Sequence, residues 1–298
     1  EENVQPDVEQ RREHEEDERR TAVAERTEHI GNDIIKNRRA GAEQYHEEKS
    51  PYSFQRKGCY FTDTLSREGK GALVKSGVGL TWSGFRPSDD ACIYGYLIPS
   101  NMFATVVLGY METIAHEVLK DEALAAEAAS LKKEIHDAIE SMAIVDNYYY
   151  GKVYAYEVDG YGQYMLMDDA NVPSLLAMDY LGYEADDRQV VENTHNFVLS
   201  CANPYYYEGS CAKGVGSQHT KPGYIWHIAL AIQGLTSKTK EEKLAILNTM
   251  KNTDAGKHMM HEGFDVNDPA NYTREWFSWA NAMFCELVLD YCDIRVAR

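Results

Sequence analysis

Positive charge is what this 298-residue chain has least of: 30 Lys and Arg stand against 48 Asp and Glu, a net charge of −18. A surface of that sign repels phosphate backbones and anionic lipid, so nucleic acid is not an expected partner. The sequence shows no apolar run of membrane-spanning length and no signal-peptide h-region. No membrane association is therefore expected, and the location is read as cytoplasmic, or secreted if a leader has been removed. The six cysteines (Cys59, Cys92, Cys201, Cys211, Cys285, Cys292) form no CxxC and no Cys/His ligand spacing, which points to free thiols. Cys92 and Cys285 lie in apolar patterns and read as small core residues. His258-Met259-Met260-His261 is not HExxH, and phosphate-cradling glycine loops and GxSxG are missing too. No metal and no cofactor are expected.

What the chain does have is 44% hydrophobic residues, 26% charge and 21 tyrosines, a balance that suits a soluble globular protein with neutral ligands. Tyrosine clusters at Tyr148-Tyr149-Tyr150, Tyr154, Tyr156, Tyr161, Tyr164 and Tyr205-Tyr206-Tyr207. An aromatic ring can stack on a sugar face while its hydroxyl hydrogen-bonds, although the same rings serve equally in helix packing. Two acidic loops open apolar runs: Thr81-Trp82-Ser83-Gly84-Phe85-Arg86-Pro87-Ser88-Asp89-Asp90-Ala91-Cys92 and Met167-Asp168-Asp169-Ala170-Asn171-Val172-Pro173-Ser174. Doubled Asp before a helix can cap it. Hydrolysis of a glycosidic bond also needs two carboxyl groups, one to protonate the leaving oxygen and one opposite it. The loops offer Asp89, Asp90, Asp168, Asp169, Glu208, Glu262 and Asp265 for those roles. His219 and His227 are candidates for sugar hydroxyls or for plain packing.

Residues 1–49 are a charged, partly helical or disordered lead-in, poor in aliphatic side chains over Glu1 to Arg20. Residues 50–298 read as the globular domain. Tyr52 to Val78 is expected to be loop with short strands. A 3.6-residue apolar period predicts helices over Pro99 to Lys120 and Glu122 to Met142. Tyr/Val alternation over Val145 to Met167 predicts a hairpin around Asp159-Gly160. Further helices are expected over Pro173–Leu181, Arg188–Leu199, Tyr224–Gly234, Lys240–Met250 and Thr273–Tyr291, with loops over Asn203–Gly223 and His258–Ala270. Paired helices with long loops at one end of alternate members suggest an all-α fold of the (α/α)6 toroid type, with fewer helices than six closed pairs require.

The two acidic loops resemble glycoside hydrolase family 125, as do Gly223-Tyr224-Ile225-Trp226-His227-Ile228-Ala229-Leu230, Asn252-Thr253-Asp254-Ala255-Gly256, Met260-His261-Glu262-Gly263-Phe264-Asp265-Val266-Asn267-Asp268-Pro269 and Trp276-Phe277-Ser278-Trp279-Ala280-Asn281. The likeness runs from about Tyr45 to Tyr291. It implies an exo-acting α-1,6-mannosidase with an (α/α)6 barrel and an inverting mechanism. By that resemblance Asp89 is the general acid, with the like charge of Asp90 favouring its protonated form, and Glu262 is the base that activates water. Arg86, Asp90, Asp168, Asp169, Asn171 and His219 would hold mannose hydroxyls, and Trp82 or Trp226 would stack on the ring. The implied partner is a mannose-containing oligosaccharide or N-glycan. Glu1 to Ala42 does not match the family's N-terminal helical portion, and an incomplete toroid would expose inner apolar faces and invite self-association. That departure motivates a second reading, a mannoside-binding or structural remnant without turnover. A lyase or epimerase on the same fold has less support, because a lyase acting on uronic acids wants a basic cleft.

Overall fold

The computed structural model describes residues 53–294, so the lead-in expected over residues 1–49 lies outside the described residues. The chain runs as helices joined by alternating short and long loops. Helix α1 (Ile98–Ile114) continues through a π-turn (Ala115–Leu119) and is followed by α2 (Glu122–Met142), short α3 (Met178–Leu181), α4 (Arg188–Val198), α5 (His227–Thr236), α6 (Lys240–Asn252) and α7 (Ser278–Tyr291). The short connections are closed by local chemistry. Lys120 is left-handed at the end of the π-turn, and Asp121 Oδ1 then accepts from Ala123 and Leu124 N–H at 3.0 Å. Asp187 and Thr239 cap α4 and α6 in the same way.

The long loops precede α1, α3, α5 and α7 and are not plain coil. They carry β1 (Tyr96–Leu97), β2 (Ile144–Asn147), β3 (Gly151–Tyr154), β4 (Glu157–Val158), β5 (Tyr164–Met165), β6 (Tyr206–Glu208), β7 (Lys213–Val215), β8 (Tyr224–Trp226), β9 (Gly263–Asp265) and β10 (Tyr272–Thr273). They form two three-stranded antiparallel sheets, β1-β4-β5 and β10-β9-β8, and two separate hairpins, β2-β3 and β6-β7. The expected hairpin around Asp159-Gly160 is β4-β5, whereas residues 53–78 form no strand. The all-α expectation holds only roughly: helices predominate, and short strands accompany them in the loops. Much of these loops is buried, and buried backbone N–H and C=O groups must pair; strand ladders within and between loops are the short solution. Each sheet links consecutive long loops, β1 before α1 with β4 before α3, and β8 before α5 with β9 before α7.

Helices α1 and α2 bury Met102, Leu108, Met111 and Ala128, Leu131, Ile135, Ile139. The span Ile98–Leu119 is long and apolar enough to cross a membrane by length and composition, contrary to the sequence expectation. Its buried Asn101 and its packing on α2 suit a core helix equally well. Cys285 is exposed rather than in the core, while Cys92 is buried as expected. Helix α5 is buried almost throughout, from His227 to Gly234, and packs on α6 and α7. At Gly234 an added Cβ would lie 2.6 Å from Leu287 Cδ2, so the absence of a side chain lets α7 seat that leucine against α5. Leu287 is fully buried, and Leu287→Ala is expected to destabilise by about 2–5 kcal/mol, read from urea unfolding of the purified chain.

Candidate active site

The two doubled-Asp loops meet at the end of the molecule where the long loops gather. Phe85 and Ala91 form a bridge, and Arg86 N–H donates to Asp90 O at 2.7 Å, closing a tight tip over Pro87, Ser88 and Asp89. Asp89 sits at its turn with φ 71°, a left-handed conformation that Asp tolerates better than bulkier residues. The tip is docked from both sides. Asn171 Nδ2 donates to Pro87 O at 2.8 Å, and Ser88 Oγ lies 2.8 Å from Asp169 Oδ2. Asp90 and Asp169 face inward and are buried, while Asp89 alone of this acidic set is exposed.

The opposite wall comes from the loop before α7. Glu262 precedes β9, with its N–H donating to Thr273 O, and its Oε1 lies 3.1 Å from Arg274 Nε. Its Oε2 has no protein hydrogen-bond partner among the described residues. His227, the first residue of α5, anchors this wall from beneath: its Nδ1 accepts from His261 N–H at 3.0 Å, and its Nε2 faces Thr253 Oγ1 at 3.0 Å. Burial pushes the His227 pKa down to about 3, so the ring is neutral and can accept at Nδ1. His261 in turn stacks on Tyr272 at 3.9 Å and bonds Glu275 O.

Between these walls lies a pocket of about 340 Å³ lined by Asp89, Asn171, His219, Trp226, Glu262 and Arg274, with Pro87, Ser88 and residues 276–279 completing it. Five of the residues singled out by sequence, Asp89, Asn171, His219, Trp226 and Glu262, are thus brought together. The others are elsewhere. Arg86 is fully buried, its Nε 2.6 Å from Glu157 Oε1 and its Nη1 donating to Gln218, so it braces the tip rather than facing a sugar. Trp82 is wedged against Gly71, Gly84 and Gly95 and donates to Ala72 O. Asp168 accepts from Leu175 and Leu176 N–H at 2.8 Å, bracing the turn ahead of α3 and not capping the helix itself. Asp90 and Asp169 lie behind the tip. Sequence reasoning assigned no role to Arg274, Trp276 or Trp279. Trp276 and Trp279 are 64% and 56% exposed at the pocket, and their signal was the density of aromatics in Trp276-Phe277-Ser278-Trp279.

Residues 11–289 match the family model described as metal-independent alpha-mannosidase (GH125). A Streptococcus pneumoniae member of that group, solved as a non-productive complex with alpha-1,6-mannobiose, is 49% identical; the match covers 89% of this chain and 62% of that one, with a TM-score of 0.83. The meiotically up-regulated gene 157 protein of Schizosaccharomyces pombe is 41% identical over 243 residues, 81% of this chain and 48% of the relative. A bacterial glucoamylase complexed with acarbose, 15% identical with a TM-score of 0.52 over 68% of this chain and 34% of its own, shares the fold alone. The chain therefore spans less than two thirds of each of these proteins.

The site's frame depends on one buried ion pair. Glu157 Oε2 also accepts from Ile93 and Tyr94 N–H at 2.9 and 2.8 Å. Glu157→Gln would leave Arg86 without its counter-charge, and removal of one partner of a buried pair costs about 3–5 kcal/mol. A fall in unfolding free energy of that size, seen as a lower midpoint at unchanged m, is expected in chemical denaturation; an unchanged midpoint would show that Arg86 is compensated some other way.

Proposed function

We propose that this chain, which belongs to the GH125 family of metal-independent alpha-mannosidases, hydrolyses terminal α-1,6-linked mannose from an oligosaccharide with inversion of configuration. The observation that carries the proposal is the shared pocket: Asp89 and Glu262, drawn from loops far apart in sequence, line one cavity. Asp89 is the acid that protonates the leaving oxygen. Glu262 is the base, its Arg274-bound oxygen holding the carboxylate in place while Oε2 takes a proton from the attacking water. Inversion requires the two carboxyls to flank the sugar with room for that water.

Asn171 and His219 are placed to meet hydroxyls of a sugar in the pocket, and Trp276 and Trp279 offer exposed aromatic faces for stacking. A family described as metal-independent leaves the positive charge of an oxocarbenium-like transition state to be met by the carboxyl groups of the pocket. The complex of the Streptococcus pneumoniae relative with alpha-1,6-mannobiose supports the choice of substrate. Because the chain covers 62% of that relative, binding without turnover is the competing reading, and the same assay decides between them.

Incubation of the purified chain with α-1,6-mannobiose should release mannose whose first-formed anomer is β, followed by proton NMR. Asp89→Asn and Glu262→Gln are each expected to lower kcat by about 10²–10⁴-fold, the usual contribution of a positioned acid or base. An α-anomer formed first would refute inversion, and mannobiose binding with no hydrolysis would establish the binding reading. Trp276→Ala should raise KM with a smaller effect on kcat, since stacking holds ground state and transition state alike.

A further inference from the structure

Behind the tip, carboxyl groups outnumber the cations that could neutralise them. Asp90, Glu157 and Asp169 are all buried around one guanidinium, Arg86. Glu157 has first claim on it at 2.6 Å and is further satisfied by two backbone N–H groups. Asp169 accepts from Ser88 Oγ at 2.8 Å, Ser217 Oγ at 3.2 Å and Asn171 N–H at 3.4 Å. Among the described residues Asp90 has only Ser88 Oγ at 3.2 Å, with His219 Nδ1 3.8 Å away.

The serine lies between two acceptors but owns one hydroxyl proton. If both carboxyls were ionised, Ser88 donating to its nearer neighbour Asp169 would leave Asp90 without a donor among the described residues, and two buried like charges would face each other across the serine. Protonated Asp90 removes the conflict: its O–H donates to Ser88 Oγ, and Ser88 donates to Asp169. We propose that Asp90 and Asp169 hold a single proton between them across Ser88, with Asp90 the protonated partner, and that this proton locks the tip in the position from which Asp89 reaches the pocket. Asp90 is on this account a positioning residue and not a sugar ligand. The locking rests on hydrogen bonds alone; its bearing on turnover rests on the reading of Asp89 as the acid.

Burial first, and the charge of Asp169 second, push the Asp90 carboxyl up to about 6, and burial raises Asp169 as well. The other groups facing the pair are Arg86 and His219, which favour ionisation of Asp90, and Glu157, Asp168, Tyr156 and Tyr205 around it. A carboxyl raised in the folded state stabilises the fold fully below its unfolded value of about 4, and that stability is lost as pH rises through about 6. The tip should therefore loosen on the alkaline side.

The test is a carbon NMR titration of the intact chain labelled at aspartate Cγ. Two raised resonances are expected, Asp168 near 7 and Asp90 near 6; the second is absent in Asp90→Asn and moves toward the ordinary range near 4 in Asp169→Asn. Hydrogen exchange over residues 84–92, corrected for its intrinsic pH dependence, should quicken above that titration in the parent and stay slow in Asp90→Asn, whose amide still donates to Ser88. An Asp90 resonance that titrates near 4 in the parent would overturn the shared proton without need of any variant. Exchange that ignores the titration would overturn the locking. Neither readout uses catalysis, so a chain that passes both yet releases no mannose would refute only the assignment of Asp89.

Discussion

The ion pair of Arg86 and Glu157 is the constraint on which the site's frame rests. Both side chains are fully buried, so each was stripped of water at a cost of several kcal/mol, and only the other's charge together with further hydrogen bonds can offset it. The pair therefore has few alternatives to its present geometry. Glu157 belongs to β4, which pairs with β1 at the entrance to α1. Its second oxygen takes the N–H groups of Ile93 and Tyr94. Arg86 opens the tight tip that carries Asp89. With the β1-β4 pairing and the Ser88–Asp169 and Asn171–Pro87 bonds, this contact ties the loop before α1 to the loop before α3, and a candidate catalytic carboxyl is held on that shared frame.

That frame explains how four adjacent acidic residues come to differ. Asp168 is satisfied by backbone N–H groups of the turn ahead of α3. Asp169 is satisfied by hydroxyls. Asp90 shares what remains, and Asp89 is turned out by its left-handed backbone. Residue type alone does not separate these roles. The direction of each side chain does, and it follows from the tip being clamped at Pro87 and Ser88.

The helices were legible in the sequence because a 3.6-residue apolar period reports a buried stripe, and the predicted Glu122 to Met142 agrees with α2 residue for residue. The strands were harder to read. β1, β4, β5 and β10 are two residues long, too short for alternation to show, and their cause is burial of a loop rather than propensity. Asp89 and Glu262 were read from motif resemblance and chemistry together, and the structure sets them in one pocket. Arg86 and Trp82 sat beside Asp89 in the same motif but point into the protein, since neighbours in a tight turn need not share a face. Trp276 and Trp279 went without a role because an aromatic at the start of a helix reads as core until its exposure is known.

The two walls of the pocket are held by unrelated means, and this bears on how the chemistry can be tuned. Asp89 is placed by a turn whose supports include titratable groups. Glu262 is placed by a neutral histidine at the first turn of α5, by the β8-β9-β10 sheet and by the stack of His261 on Tyr272. Burial keeps His227 uncharged across the physiological range, so this support of Glu262 stays neutral. Inverting hydrolysis needs the two carboxyls at a set separation, and a shift of either wall by a fraction of an ångström alters it. Glu262 is held by Arg274 as well as by those neutral contacts, so the proposed Asp90–Asp169 proton would let the Asp89 side of the pocket respond to pH while His227 keeps one support of Glu262 unchanged.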